Sequence, residues 1–161
     1  MRKLILLVLT GLLLVPAGYA FSLRSSPPNF TSVYTDLNKQ CKAAFKKVGE
    51  GQDMPLNCKG YGGYKIYISY SAMYANLSAD TLDGKNSIPL GMAQLNYDQE
   101  KGRKIEWRMA DSKPFAVILR IEDKLYVKGL RGYEKIDYDV DAKASDANQQ
   151  ARDLADKAYA P

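Results

Sequence analysis

The 161-residue chain contains no histidine. That absence removes the usual general base of neutral pH, the histidine of nucleophilic triads, and imidazole-ligated zinc, copper or iron. Cysteine is nearly as scarce: Cys41 and Cys58 are the only two, and no Cys-x-x-Cys spacing occurs. A thiolate zinc cluster and a thioredoxin-type redox pair are therefore not expected. Beyond the first twenty residues no apolar run reaches the roughly 20 residues that a spanning helix needs. Carboxylates remain plentiful as catalytic candidates, but nothing in the sequence singles out two that converge.

The N-terminus reads MRKLILLVLTGLLLVPAGYA. Arg2 and Lys3 form a basic head, Leu4 to Val15 an apolar run, and Gly18-Tyr19-Ala20 a small-x-small cleavage site, which together describe a secretory signal peptide over 1–20. A membrane anchor is the rival reading, but the run stops at Pro16, short of a bilayer span. The protein is accordingly expected to be periplasmic or secreted, with no transmembrane span after cleavage. Removing Arg2 and Lys3 from 23 basic residues leaves 21 against 18 acidic ones, a net charge of +3. So small an excess argues against a dedicated polyanion binder, and no nucleic-acid partner is expected. The excess is uneven, with ten basic and five acidic residues over 101–135 and three against six over 136–161. In an oxidising compartment Cys41 and Cys58 are expected to form a disulfide, stabilising the fold by about 3 kcal/mol in the chain-entropy treatment.

Residues 21–30, FSLRSSPPNF, lack periodicity and form a leader, after which 31–161 reads as a single globular domain. TSVYTDL suggests a first strand. Leu37, Cys41, Ala44, Phe45 and Val48 then fall on one helical face closed by Gly49, although Thr35-Asp36-Leu37 is equally compatible with a continued strand. The segment CKGYGGYKIYISY, Cys58 to Tyr70, places four tyrosines within ten residues. Its Lys59-Gly60-Tyr61-Gly62 matches the start of an RNA-binding RNP1 signature. Gly63 then breaks the match, and skipping it would flip every later side chain to the opposite face. Strand alternation accounts for the segment better: Tyr64, Ile66, Ile68 and Tyr70 face one way, Lys65, Tyr67 and Ser69 the other. Tyr67 is thus the ring left for a partner. The strand is read as continuing through Ser71 to Leu77.

Asp83-Gly84 marks a hairpin turn. KIEWRM, with Ile105, Trp107 and Met109 inward and Glu106 and Arg108 outward, opens a series continued by FAVILRI, LYVKGL and KIDYDVD, which reads as an antiparallel meander. Ser145 is placed to cap a C-terminal helix whose stripe is Ala147, Ala151, Leu154, Ala155 and Ala158. The fold class is thus mainly β (α+β): an antiparallel sheet with a C-terminal helix, one disulfide, and a short N-terminal helix if the 36–48 pattern prevails.

Two constellations bear on chemistry. Asp137, Asp139 and Asp141 imitate the start of a calcium loop, but Ala142 and Asn148 stand where the pattern requires Gly and Glu; no metal or cofactor is assigned. Glu106, Arg108 and Arg120 share one parity on adjacent strands. They are read either as an outward ion pair or as a polar ligand-contact patch beside Tyr67.

SVYTDL, the two cysteines with CKGYGGYKIYIS, KIEWRMADSKPFAVILRI and ANQQARDLADKAY occur in an order that resembles a family of small, signal-peptide-bearing bacterial proteins. Its pattern is Y-T-D-L, C, C-x-G-Y-x-G-Y, E-W-R, P-x-A-x-I-x-R and A-N-x-x-A-R-x-L-A-D. The resemblance implies an exported bacterial protein and carries over no catalytic residue. The chain is expected to be a non-catalytic binding module for an envelope protein or polymer, a hydrolase inhibitor being one form. The alternative is a carboxylate-dependent hydrolase acting on an envelope polymer.

Overall fold

Alternation of apolar and polar side chains sets most of the architecture. The computed structural model describes residues 27–71, 73–94 and 104–159. The signal-peptide reading of 1–20 and most of the leader lie outside these, as do residues 95–103. Ten strands precede one helix: β1 (Phe30–Asp36), β2 (Cys41–Ala43), β3 (Leu56–Cys58), β4 (Tyr64–Ser71), β5 (Tyr74–Thr81), β6 (Ser87–Gln94), β7 (Lys104–Ala110), β8 (Lys113–Ile121), β9 (Lys124–Gly129), β10 (Asp137–Asp141) and α1 (Ala147–Tyr159). They form two five-stranded antiparallel sheets, ordered β1-β7-β8-β9-β10 and β2-β3-β4-β5-β6.

The β7–β10 meander is present as expected: two-residue turns join β7 to β8 and β8 to β9, and residues 130–136 join β9 to β10. Asp111 and Ser112 both take positive φ (45° and 69°) between β7 and β8, the twist that a two-residue hairpin prefers. The hairpin at Asp83-Gly84 also forms, with Gly84 at φ 70°. The strand beginning at Tyr64 does not run on to Leu77: Ser71 pairs with Tyr74, and the chain reverses into β5.

Two apolar layers result. Between the sheets, Ile66, Ile68, Leu77, Ala79 and Leu90 meet Ile105, Trp107, Val117 and Leu119. On the other side of the β7–β10 sheet, Ala116, Ile118, Leu125 and Val127 meet Ala147, Ala151 and Ala155 of α1. The alanine stripe lets the helix lie close to the strands. The order of layers is therefore sheet, sheet, helix, which makes β7 and β8 the only strands buried along nearly their whole length on both faces among the described residues.

Two local expectations are corrected. No helix forms over 36–48: Gln40 N–H donates to the Asp36 carbonyl at 2.9 Å and Asn38 N–H to Asp36 Oδ1 at 3.0 Å, closing a turn, after which Cys41 pairs directly with Cys58 across β2 and β3. Sheet pairing and the disulfide demand extended backbone there and override the weak helical periodicity. Phe45, assigned to the buried helical face, is 56% exposed. At α1, the Asp146 carbonyl accepts the first helical bond, from Gln150 N–H at 3.0 Å, so the cap position falls on Asp146 rather than Ser145.

Candidate functional site

The tyrosine-rich segment divides its rings between two tasks. Its first half is a joint between the sheets. Thr35 Oγ1, fully buried on β1, donates to the Lys59 carbonyl at 2.8 Å and accepts from Trp107 Nε1 at 2.9 Å. Tyr61 and Tyr64 pack on Trp107 with ring centroids 5.9 and 6.3 Å away, and the Tyr61 hydroxyl donates to the Tyr34 carbonyl at 3.1 Å. Gly62, at φ +58°, sits so close to Pro114 that an added Cβ would lie 2.3 Å from its Cδ. A glycine is required there by both backbone and space. The glycines that imitated an RNA signature therefore serve sheet-to-sheet approach.

Glu106 and Arg108, expected outward, are buried (6% and 9% exposed) under α1. Their parity was read correctly, but the helix lies over that face. Arg152 clasps the Glu106 carboxylate through Nε at 2.7 Å and Nη2 at 3.2 Å, and Nη2 also donates to the Tyr34 hydroxyl at 3.1 Å. Asp156 clasps Arg108 through Nε at 2.7 Å and Nη2 at 2.5 Å. Ser32 on β1 joins the pairs, donating to Glu106 Oε1 at 2.5 Å and accepting from Arg108 Nη1 at 3.0 Å. Its hydrogen bond to the Glu106 carboxylate raises the already high pKa of Arg152. This closed network fastens the helix to β1 and β7 and leaves neither charge for a ligand. Arg120 does not join it: its guanidinium donates to the carbonyls of Glu122 at 3.3 Å and Ala142 at 3.1 Å, holding the turn that leads from β10 to α1. Arg152 and Asp156 were not anticipated. Their signal was present: they stand four apart, each directly after an alanine of the buried stripe.

The second half of the segment faces outward. Tyr67 occupies the middle of β4, with Asn57 and Ser78 as its neighbours on β3 and β5. Ile66 and Ile68 beside it are buried, whereas Tyr67 is half-buried on the opposite face. Lys65 Nζ lies 5.8 Å from the Tyr67 ring centroid. Asn57 Oδ1 is buried and has no hydrogen-bond partner. Asp80, the charged neighbour of Lys65 across the strands, accepts hydroxyl hydrogen bonds from Ser78 and Ser87, each at 2.7 Å. Two residues along the same face, Ser69 reaches a groove of about 670 Å³ beneath the β2–β3 loop, lined also by Phe45, Val48, Gln52, Asp53, Pro55 and Tyr70. Burial first, and the Asp53 carboxylate second, raise the pKa of the Tyr70 phenol, so it is a neutral donor at any physiological pH.

Two of the three aspartates of the calcium-like stretch are spent on lysines, and Asp141 Oδ1 accepts from the Lys143 backbone N–H at 2.9 Å. Asp137 pairs with Lys128, Asp139 with Lys124, and β10 carries them as the polar face of a strand. Among the described residues no group of three or more acidic or thiol side chains is placed to hold a metal ion. No protein family, curated protein or solved structure matches the chain.

Proposed function

We propose that the protein is an exported, non-catalytic binding module of the bacterial envelope, periplasmic or secreted, whose ligand surface is the outer face of the β2–β6 sheet around Tyr67. The observation that carries this reading is the position of Tyr67. It is an aromatic ring in the middle of a polar sheet face that no other described element covers, two residues from a groove.

Export is supported by the signal pattern of 1–20, by the resemblance to small signal-bearing bacterial proteins, and by the Cys41–Cys58 disulfide, which suits an oxidising compartment. No helix among the described residues is long and apolar enough to cross a membrane. The partner is an envelope protein or polymer; inhibition of a hydrolase is one form that such binding takes. The groove holds one carboxylate, Asp53, whereas glycoside hydrolysis works through a pair, so binding is favoured over the hydrolase alternative.

Capture from a detergent-solubilised envelope extract tests the reading, with wild type, Tyr67→Ala, and Tyr138→Ala as an exposed tyrosine on the other sheet. The reading expects a retained component that Tyr67→Ala loses and Tyr138→Ala keeps. Equal capture by all three proteins would sink it.

A further inference from the structure

The geometry points to a neutral, N-acetylated glycan strand of the cell wall as the ligand, lying along the outer face with an acetamido group in the groove beneath the β2–β3 loop. This inference rests on the binding face proposed above and names its ligand class.

Charge is the first argument. Along the outward register of the β2–β6 sheet the charged residues are Lys42, Lys65 and Asp80; Lys65 and Asp80 face each other, which leaves Lys42 as a single unopposed cation. Lys65 lies over the Tyr67 ring and the Asp80 carboxylate is held by two serine hydroxyls. A polyanion calls for a cluster of unopposed Lys and Arg, and this face does not offer one. It offers amide and hydroxyl groups, Asn57, Ser69, Asn76 and Ser78, each able to donate and accept. That is the complement of a ligand made of neutral hydroxyls.

The second argument is the ring. A half-buried tyrosine flanked by polar groups presents an apolar plane with a hydrogen-bonding tip, and the C–H face of a pyranose is the matching surface. Asn57, its neighbour on β3, carries a buried acceptor, Oδ1, without a partner, which a sugar hydroxyl reaching it would satisfy.

The groove supplies the third. Phe45, Val48, Pro55 and Tyr70 are walls with apolar surface, Gln52 and Ser69 are polar groups among them, and Lys47 and Asp53 add one charge of each sign. A methyl group attached to an amide needs both kinds of contact in a small space. A bare hydroxyl needs no apolar wall, and an aliphatic chain needs no amide partner.

Calorimetric titration of the disulfide-bonded protein with N-acetylchitotetraose, cellotetraose and heparin decides the matter, followed by sedimentation with isolated wall glycan. The acetylated tetramer is expected to bind with about tenfold preference over cellotetraose, and Tyr67→Ala to weaken it about tenfold. Tyr138→Ala is expected to bind as wild type, Phe45→Ser to lose the acetyl preference, and wall glycan to pull down wild type but not Tyr67→Ala. Equal binding of the two tetramers, a preference for heparin, or no affinity for the acetylated tetramer overturns the inference. If glycans fail but Tyr67-dependent capture of an envelope protein persists, the binding face stands and only the glycan assignment falls. Glycan binding indifferent to Tyr67→Ala would remove both.

Discussion

The outer face of the β1-β7-β8-β9-β10 sheet lies under α1, and the outer face of the β2–β6 sheet lies under no other described element. Both faces carry polar side chains at alternate positions of a strand, Glu106 and Arg108 on β7, Lys65 and Tyr67 on β4. On β7 the alternation ends in burial on both sides, because the helix brings Arg152 and Asp156 as counter-charges. On β4 the polar residues keep contact with water and only Ile66 and Ile68 are lost to the core. The comparison shows that a polar residue in a strand is a surface residue only until a distant element supplies its partner. A charge buried without such a partner would cost several kcal/mol. The i,i+4 pair Arg152 and Asp156 is therefore a condition for α1 to lie where it does.

Substitutions at alternate positions of the two strands test the difference. Trp107→Ala should cost most, about 3–5 kcal/mol, since it empties the space between the sheets and takes away the donor that Thr35 Oγ1 accepts from; the fall in urea midpoint measures it. Reduction of the Cys41–Cys58 disulfide is expected to remove about 3 kcal/mol, read as a lower melting temperature in dithiothreitol. Arg108→Ala, which leaves Asp156 unpaired, should cost about 2–3 kcal/mol, less than the full buried-pair penalty because Asp156 keeps some access to water. Tyr67→Ala, on the uncovered face, should cost only about 1 kcal/mol, the strand preference of a half-buried ring, while abolishing capture.

The smallest effect concerns alkaline pH. The folded-state pKa of Tyr70 is raised by burial and then by Asp53, and that of Tyr133 by its hydrogen bond to Tyr159 and then by burial. A raised phenol pKa means that the unfolded chain loses its proton first. The stabilisation is therefore fully present below the ordinary tyrosine value of about 10 and is lost as pH rises through the folded values. Tyr70→Phe should flatten the decline of the urea midpoint above that pH.

Much of this arrangement was legible in the residues. The meander followed from period-two alternation and short turns, the terminal helix from an alanine stripe at period 3.6, and the disulfide from the only two cysteines. The inward and outward sides of β4 were read residue by residue, which isolated Tyr67. What was not legible depends on contacts distant in sequence. β1 pairs with β7 across some seventy residues (Ser32 with Arg108), a choice that local periodicity does not encode. For the same reason Glu106 and Arg108 were given the right face but the wrong environment. The apparent helix over 36–48 failed because Cys41 is tied to Cys58, a constraint stronger than the spacing of five apolar residues. The groove was missed because it arises only when the loop carrying Phe45 and Asp53 folds back toward Ser69 and Tyr70.

Urea unfolding of Arg108→Ala beside Tyr67→Ala measures the contrast between the two faces most directly. A large drop in midpoint for the first and a much smaller one for the second is the predicted result. Equal drops in the two proteins, or a drop in Tyr67→Ala alone, would contradict the account.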